Sequence, residues 1–307
     1  MTKIAVIIAD FNQPQLTIGT ISSLKKVNRK DLEIHVFLVE NGSTPANLQV
    51  IKKSYKNDDF VTVIYTAKNT GFSGGNNIGI SRALKAGYDY CLLINNDTLV
   101  DPAFLKELLK PFETDSSIGI VGPKIYFAPG HEFHKNRYSS SQIGKIIWSA
   151  GGYIDWNNVY GKTYGIDEYD SGQYDQYRDD LQFISGCCLL VKSAVFEKIG
   201  LLSDNYFLYL EDVDFCYRTY LSKYKIAYQP TAVIWHINSG STQSGGGSTH
   251  DYFLTRNRLL FGFRYAALRT KLALFRDSLR TLIFGTPWQK KGVLDYYFGN
   301  LNKGSWK

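Results

Sequence analysis

Acidic side chains lie at or just beyond the ends of three short apolar segments of this sequence, at Asp10, Glu40 and Asp97. In α/β sheets, ligands bind beyond the carboxyl ends of the strands. A carboxylate in that position, such as Glu40, can accept hydrogen bonds from a ribose or a base. Asp97 follows two amides and is suited to a hard divalent cation that also contacts phosphate oxygens. Taken alone, each acid is also explained by a turn that it starts or a helix that it caps.

A glycine-rich connection at residues 69–77, NTGFSGGNN, follows the third strand-like segment and opens a helix. Glycines allow the backbone to approach a ligand closely, and a helix N-terminus favours an anion. An ordinary loop with a helix cap explains this segment about as well. The first strand-like segment is followed by DFNQP rather than by a G-x-G-x-x-G pattern, which argues against a dinucleotide-binding dehydrogenase.

Glu211, Asp212 and Asp214 place three carboxylates in the first turn of a predicted helix. Helical spacing puts Glu211 and Asp214 on one face and Asp212 on another, so one acid can face a cleft while the others form ion pairs or cap the helix. A catalytic base must reach an acceptor hydroxyl from a partly desolvated pocket. The helix dipole also favours acids in a first turn. His236 is either a structural histidine or, with Asp97, part of a metal site completed by the diphosphate of a ligand.

Strand-like and helix-like segments alternate through the first half of the chain. This alternation indicates βαβ units and a mainly parallel sheet. The predicted strands are residues 4–9, 33–39, 61–65 and 90–94, and the predicted helices are residues 14–27, 45–56, 75–87 and 102–112.

The pattern breaks down at residues 128–180, a polar stretch rich in Tyr, Gly and Asp that predicts a long loop or hairpins. A flexible segment is expected at residues 239–249, before a basic C-terminal region. Between them the sequence predicts an apolar strand at 183–191, helices at 193–199 and 211–221, and strands near 226–229 and 232–236.

With 307 residues, of which 44% are hydrophobic and 21% charged, the composition excludes a disordered chain and a small disulfide-stapled scaffold. No run of about 18 uncharged apolar residues occurs, and the N-terminus enters a strand-like pattern without a signal-peptide cleavage site. These features predict a protein on the cytosolic side. The four cysteines show no C-x-x-C spacing and are interpreted as reduced, buried thiols.

The net charge of +7 is concentrated near the C-terminus. Residues 1–255 carry 24 Lys and Arg against 26 Asp and Glu, whereas residues 256–307 carry 11 against 2. Residues 259–285 interleave apolar side chains with cations, and Trp288 follows, as in a helix that lies in a membrane interface. Helices packed on the rest of the protein, or a homodimer interface, are the alternatives. The basic region has no nucleic-acid-reading motif, so nucleic acid is not an expected partner.

Seven motifs, in this order, resemble those of the family 2 glycosyltransferases, inverting enzymes of the GT-A fold, and in particular their bacterial rhamnosyltransferase-like branch. The resemblance spans roughly residues 3–260. The motifs are DFNQP, VENGS, NTGFSGGNN, LLINNDT, ISGCCLLVKSAVFEKIG, FLYLEDVDFCYR and VIWHINSGS.

The resemblance implies an α/β GT-A fold with a mostly parallel central sheet flanked by helices. Residues 1–250 would form the catalytic domain and residues 251–307 an amphipathic, basic helical extension. Within the catalytic domain, residues 1–127 would form a Rossmann-like half that binds the nucleotide sugar, and residues 128–250 would bind the acceptor.

The resemblance also implies roles for individual residues. Asp97 and His236 would hold Mg²⁺ or Mn²⁺, which would stabilise the departing nucleoside diphosphate. Asp212 stands at the position of the family's general base and would take the proton from an acceptor hydroxyl as it attacks the anomeric carbon from the face opposite the leaving group. The residues that would bind the nucleotide sugar are Asp10, Phe11, Glu40, Asn69, Gly74, Asn77 and Asn96.

Three positions depart from the residues usual in this family. The metal motif reads Asn-Asn-Asp and keeps one carboxylate, at Asp97. Gln13 stands where many members have Arg, and Glu40 replaces the commoner Asp. These departures leave the nucleotide base open.

The sequence therefore predicts a metal-dependent inverting glycosyltransferase that moves rhamnose from dTDP-rhamnose to a polyprenyl-diphosphate-linked saccharide in cell-surface polysaccharide synthesis. It would act as a peripheral protein on the inner face of the cell membrane. UDP donors of galactofuranose, glucose or N-acetylhexosamine are alternatives, as is a non-catalytic saccharide-binding subunit of the same fold. A nucleotidyltransferase would need a basic loop near the N-terminus that binds a triphosphate, and the segment DFNQPQ contains no basic residue.

Overall fold

The computed structural model describes residues 1–134, 136–176, 181–237 and 247–306. Within these residues the chain forms an α/β fold around a mostly parallel sheet flanked by helices, followed by a helical C-terminal region. The flexible segment predicted at 239–249 falls largely on residues 238–246, which lie outside the described residues.

The first half of the chain has the alternation that the sequence predicts. Strand β1 is parallel to both β2 and β4, and β3 continues the sheet beyond β2. Proline occupies the first turn of α1 and of α2, where its fixed φ suits a helix start. The elements are β1 (Thr2–Asp10), α1 (Pro14–Leu24), β2 (Leu32–Glu40), α2 (Pro45–Ser54), β3 (Val61–Tyr65), α3 (Gly71–Lys85) and β4 (Tyr90–Ile94).

The hydrophobic core lies on both faces of this sheet. Successive side chains of a strand point to opposite faces, and β1 is buried on both. Ile4, Val6 and Ile8 belong to the cluster on one face, whereas Ala5 and Ile7 belong to the cluster on the other. This two-sided burial explains why β1 is a continuous apolar run and not an alternating one.

The second half completes the sheet, whose strand order is β3-β2-β1-β4-β10-β6-β11-β5, with β7 paired to β6. Strand β10 is antiparallel to both of its neighbours, whereas β11 is parallel to β6. The elements are β5 (Thr98–Val100), α4 (Phe104–Thr114), β6 (Ile118–Phe127), β7 (Ile147–Ser149), β8 (Gly152–Asp155), β9 (Tyr160–Thr163), β10 (Cys188–Lys192), α5 (Ser193–Ile199), α6 (Glu211–Leu221) and β11 (Lys225–His236).

One sequence-based assignment in this half needs correction. The two strands expected near 226–229 and 232–236 are a single strand, β11, whose register against β6 shifts between Gln229 and Val233. The shift falls at the residues Gln-Pro-Thr (229–231), which separate the two apolar runs in the sequence and made them look like two strands. The polar stretch at 128–180 contains β7 and a hairpin of β8 and β9 among its loops.

Three helices form the C-terminal region: α7 (Ser248–Tyr265), α8 (Leu268–Phe284) and α9 (Pro287–Tyr297). The basic segment at 259–285 is therefore not one surface helix, because its first part belongs to α7, where Leu259 and Phe261 are buried. Across the described ranges, no helix combines the length and the apolar character needed to cross a membrane.

Candidate active site

The carboxyl ends of β1, β4 and β11 and the first turn of α6 meet around two adjoining cavities. The larger cavity, of about 390 Å³, brings together Asp97, Asp212 and His236, which are far apart in sequence. The smaller cavity, of about 330 Å³, contains Asp10 and Phe11 in its wall. Both cavities therefore lie at the edge of the sheet formed by the carboxyl ends of its parallel strands, where Asp212 joins them from helix α6.

Four residues line both cavities and connect them. They are Ala9, Phe72, Asn96 and Leu208. Because the cavities share these walls, one elongated ligand can extend from the smaller cavity into the larger one.

Asp97 and His236 form a close pair in the larger cavity. His236 is paired with Thr98 across β11 and β5, which places its ring beside the preceding residue, Asp97. The imidazole Nε2 lies 3.1 Å from the Asp97 carboxylate oxygen Oδ1. The Trp148 ring packs edge-on against the imidazole, with 4.7 Å between ring centroids. Strand register thus makes neighbours of two residues that lie in different motifs.

The chemistry of this pair fits a divalent cation. His236 is buried, and neither of its ring nitrogens has a well-aligned hydrogen-bond partner among the described residues. The described part of the chain holds no cluster of three or more His, Cys, Asp or Glu side chains suited to a metal. A carboxylate and an imidazole are nevertheless a suitable pair for Mg²⁺ or Mn²⁺ when phosphate oxygens and water complete the coordination.

Asp10 is a buried carboxylate in the wall of the smaller cavity. Its Oδ1 accepts hydrogen bonds from Thr17 Oγ1 at 2.6 Å and from Asn96 Nδ2 at 3.1 Å. Its Oδ2 is buried and has no hydrogen-bond partner among the described residues. Burial raises the pKa of Asp10 above its usual value, although the two hydrogen bonds oppose this shift. Its Oδ2 can therefore accept a hydrogen bond from a ligand.

Most of the glycine-rich segment predicted as a connection is helical, because α3 starts at Gly71 and not near residue 75. Asn41 holds the start of this helix in place. Asn41 Oδ1 accepts a hydrogen bond from Thr70 N at 3.0 Å, and its Nδ2 donates to Gly71 O at 3.0 Å. Gly71 has a φ of +78°, and a Cβ there would lie 2.4 Å from Phe207 O, so only glycine fits. Asn69 lies in the wall of the smaller cavity beside the start of this helix.

Three residues implied as nucleotide contacts line neither cavity. Glu40 Oε1 accepts a hydrogen bond from Ser43 N at 2.8 Å, which is the turn-starting role that the sequence left open. Asn77 Nδ2 donates to Leu202 O and to Asp204 Oδ1, both at 2.8 Å. Gly74 packs against Thr70. The side chains of Glu40 and Asn77 thus form hydrogen bonds within the protein. The roles of Glu40, Gly74 and Asn77 in binding the nucleotide sugar stay predictions.

Asp212 borders the larger cavity from the first turn of α6. Its Oδ2 accepts a hydrogen bond from Gly186 N and its Oδ1 accepts one from Val213 N, both at 2.8 Å. Burial raises the pKa of Asp212 above that of an ordinary aspartate, and the two backbone donors oppose the shift. The carboxylate is thus fixed in orientation while each oxygen keeps further acceptor capacity.

The other two acids of this turn differ from each other. Asp214 faces the core, where Arg218 Nε donates to it at 2.7 Å and the Tyr206 and Tyr265 hydroxyls also bond it. Glu211 lines the larger cavity beside Asp212, contrary to the expected sharing of one face by positions 211 and 214. The helix starts at the cavity wall, so consecutive residues of its first turn both reach the cavity. Burial, followed by the charge of Asp212, raises the pKa of Glu211 well above its usual value.

Sequence reasoning missed several residues of the cavity walls. Trp148 and Tyr209 line the larger cavity with Glu211. Phe253 and Trp306, from the C-terminal region, line the smaller one. Trp306 packs against Phe253 with ring centroids 5.7 Å apart. Tyr209 and Glu211 lie within the motif FLYLEDVDFCYR, which could have marked them. No local motif marks Trp148, Phe253 or Trp306, because long-range packing brings them to the site.

Residues 5–200, about two thirds of the chain, match the sequence profile of glycosyl transferase family 2. The chain belongs to glycosyl transferase family 2. It is a nucleotide-sugar glycosyltransferase of hexosyltransferase type, in agreement with the resemblance of its motifs.

Two relatives illustrate the similarity in sequence. The low-salt glycan biosynthesis hexosyltransferase Agl10 of Haloferax volcanii is 25% identical over 226 residues, which cover 73% of this chain and 66% of that protein. The N-acetylglucosaminyl-diphospho-decaprenol L-rhamnosyltransferase of Mycobacterium tuberculosis is 26% identical over 217 residues, or 68% of each chain. The chain thus spans about two thirds of the length of these relatives.

Solved structures of other proteins share the fold. The mannosyltransferase PcManGT of Pyrobaculum calidifontis, in complex with GDP-Man and Mn²⁺, superimposes with a TM-score of 0.54 at 14% identity, over 96% of this chain and 74% of that one. TarS residues 1–349 of S. aureus give a TM-score of 0.54 at 15% identity, over 96% of this chain and 79% of that one.

Proposed function

We propose that this family 2 enzyme is a metal-dependent inverting glycosyltransferase that moves rhamnose from dTDP-rhamnose to a lipid-linked saccharide in cell-surface polysaccharide synthesis. The observation that carries the proposal is the meeting of Asp97, His236 and Asp212 in one cavity. The adjoining cavity suits a nucleoside. The donor can therefore extend through both cavities and place its anomeric carbon near Asp212.

The smaller cavity is the proposed nucleoside pocket. Phe11 is 44% exposed and offers an aromatic face for the base. Asp10 Oδ2 is available to accept a hydrogen bond from a base or ribose, and Asn69 and Asn96 add amides to the wall. We keep Glu40, Gly74 and Asn77 as proposed contributors to nucleotide-sugar binding, Glu40 from the turn that it holds at Ser43 and the other two from helix α3.

Asp97 and His236 are the proposed ligands of Mg²⁺ or Mn²⁺. When bound, the cation supplies positive charge to the diphosphate leaving group. The donor set of one carboxylate and one imidazole supports this role. Asn96, which directly precedes Asp97, is held in place because its Nδ2 donates hydrogen bonds to Asp10 Oδ1 and Thr17 Oγ1. The mannosyltransferase PcManGT, which has the same fold, was solved with GDP-Man and Mn²⁺.

Asp212 is the proposed general base. Its backbone donors, Gly186 and Val213, orient the carboxylate, and burial raises its pKa, which makes it a stronger base than an exposed aspartate. Asp212 takes the proton from the acceptor hydroxyl while that oxygen forms a bond to the anomeric carbon and the bond from this carbon to the diphosphate breaks. Attack from the opposite face inverts the configuration.

The donor is tested by turnover with a panel of nucleotide sugars in the presence of Mn²⁺. We expect dTDP-rhamnose to be consumed in preference to UDP-galactofuranose, UDP-glucose and UDP-N-acetylglucosamine, with a polyprenyl-diphosphate-linked saccharide as acceptor. The similarity to the mycobacterial rhamnosyltransferase supports this choice. Preference for a UDP-sugar would contradict the rhamnose assignment, and failure to consume any donor would favour a non-catalytic saccharide-binding subunit.

Helix α8 is the proposed contact with the membrane. Five of its apolar side chains recur every three or four residues on one face and are 46% to 73% exposed: Leu268, Leu272, Phe275, Leu279 and Ile283. Leu274 and Ser278 are buried on the opposite side. The cations that flank the exposed face are Arg269, Lys271, Arg276 and Arg280. An apolar face bordered by cations is complementary to an anionic lipid surface.

In this arrangement, residues 1–250 are the catalytic domain, with donor and acceptor halves at 1–127 and 128–250, and residues 251–307 are the helical extension. A peripheral position on the inner face of the cell membrane would bring the cavities to a lipid-linked acceptor.

Replacement of Leu272, Phe275 and Leu279 by serine should lower binding to phosphatidylcholine vesicles that contain phosphatidylglycerol at least tenfold. The wild-type chain should bind these vesicles and release them as salt increases. Co-sedimentation measures both effects. The control is the Tyr220→Ser, Leu221→Ser variant, which removes two exposed apolar residues of α6. Absent or salt-insensitive vesicle binding would contradict the proposal, as would a homodimer that the triple substitution dissociates.

A further inference from the structure

Arg256 and Asn257 are adjacent on α7, completely buried, and bonded to a distant segment of the chain. The Arg256 guanidinium donates to the carbonyl oxygens of Tyr206 at 2.8 Å and Asn205 at 3.2 Å. It also donates to the carbonyl oxygen of Asn302, at 2.5 Å. A buried guanidinium that depends on backbone carbonyls restricts where those carbonyls can lie.

Asn257 completes this contact. Its Nδ2 donates to the carbonyl oxygens of Tyr206, Leu208 and Tyr209 at 3.0, 2.7 and 2.8 Å. Its Oδ1 accepts from the Arg256 guanidinium at 3.0 and 2.9 Å, so the two side chains form one unit. Together they bond four carbonyls of residues 205–209, and we name residues 205–210 the cavity segment.

The cavity segment has an unusual backbone. Phe207, Tyr209 and Leu210 have φ values of 63°, 69° and 68°, in the left-handed region that favours glycine. Residues other than glycine keep such conformations only where surrounding contacts hold them. The carbonyls turned toward Arg256 and Asn257 are part of this conformation, so the two side chains stabilise the strained backbone.

The same segment sets the geometry of both cavities. Leu208 lines both of them, and Tyr209 lines the larger. Leu210 is the N-cap of α6, so Asp212 follows two residues later. Phe207 O accepts a hydrogen bond from Phe72 N at 2.7 Å, which joins the segment to the start of α3. A shift of this backbone would therefore move the Asp212 carboxylate relative to a ligand in the cavities.

We infer that Arg256 and Asn257 are positioning residues of the active site, which act by holding the cavity segment and thereby the start of α6. They lie outside residues 5–200, the part of the chain that matches the family profile. Their function is to place Asp212, without touching donor or acceptor. The inference rests on the proposed function, because it assumes that Asp212 is the base.

The test compares Asn257→Ala and Arg256→Met with Arg258→Met. Arg258 lies on the same helix, but it donates to Asn158 O and pairs with Asp277 instead of contacting the cavity segment. Turnover is measured with the donor and acceptor that the wild-type chain uses, and nucleotide affinity is measured by calorimetry with Mn²⁺. Asn257→Ala should lower kcat at least tenfold and change the nucleotide Kd less than threefold. Arg258→Met should leave both close to wild type.

Hydrogen exchange provides a second readout that does not depend on turnover. Asn257→Ala should speed exchange of the Leu208 and Asp214 amides, which donate to Tyr206 O and Leu210 O, at least tenfold, and leave β1 unchanged. The inference would be overturned if Asn257→Ala and Arg258→Met had the same kcat and the same amide exchange rates. This comparison holds even if Arg256→Met fails to fold. Absence of transfer by the wild-type chain would instead overturn the proposed function.

Discussion

Replacement of Asp212 by asparagine should abolish most sugar transfer while leaving nucleotide binding nearly unchanged. Asparagine keeps the size of the side chain but cannot take a proton from the acceptor hydroxyl. General base catalysis contributes about 10²- to 10⁴-fold to a rate, so kcat should fall by that factor. The measurement is steady-state turnover of Asp212→Asn beside calorimetric titration with the nucleoside diphosphate and Mn²⁺.

Glu211 provides the matched control, because it lies in the same cavity and the same helical turn. Burial and the Asp212 charge raise the pKa of Glu211 well above its usual value, which favours the neutral acid beside an ionised Asp212. Glutamine resembles that neutral acid, and Glu211→Gln should lose less than about tenfold in kcat. Equal losses in the two variants, or substantial turnover by Asp212→Asn, would show that the base is another group.

The pH dependence of kcat should report the same carboxylate. A base acts in its ionised form, so kcat should rise with pH through the pKa of Asp212. Because burial raises that pKa, the midpoint should lie above 3.8, the value of an ordinary aspartate. A pH-rate profile measured down to the limit of folding provides the test, and a midpoint at or below that value would contradict the assignment.

Replacement of Asp97 by alanine should remove the dependence of nucleotide binding on metal. Asp97 supplies the one carboxylate of the proposed pair with His236, and metal sites depend strongly on each ligand. We expect nucleoside diphosphate affinity measured with Mn²⁺ to fall at least about 100-fold, to the value that the wild-type chain shows in EDTA.

A nearby acid outside the two cavities controls for nonspecific effects of this change. Asp101 lies on the connection that leads to α4, where its Oδ1 accepts a hydrogen bond from Ala103 N at 2.8 Å. Asp101→Ala should bind nucleotide with Mn²⁺ as the wild-type chain does. Titrations of Asp97→Ala that match the wild type both with Mn²⁺ and in EDTA would contradict the metal assignment.

The edge of the sheet that carries the site was predictable from sequence. Asp10 and Asp97 follow recognisable strands of a parallel sheet, and the carboxyl ends of such strands point the same way. The pairing of Asp97 with His236 was one of two interpretations that the sequence left open, beside a structural role for His236. The register between β11 and β5, which brings the two side chains to 3.1 Å, is a long-range property.

Other features depend on contacts that no local pattern reveals. Strand β6 is buried throughout, although it contains Pro123 and Lys124. Lys124 is tolerated there because Asp170, from the polar stretch, lies 2.7 Å from its Nζ. Arg256 belongs to the basic C-terminal region, yet it is completely buried. The partners of Lys124 and Arg256 lie about 50 residues away in the sequence. The pattern of apolar and polar residues within one helix or strand cannot reveal contacts at that separation.

The central claim is that the two cavities bind a nucleoside diphosphate together with a divalent cation. It is tested most directly by calorimetric titration of the wild-type chain with UDP, dTDP, GDP, CDP and ATP, each in Mn²⁺ and in EDTA. We predict binding that requires Mn²⁺ and favours dTDP, with UDP as the alternative. A folded protein that binds none of the diphosphates under either condition would contradict the account.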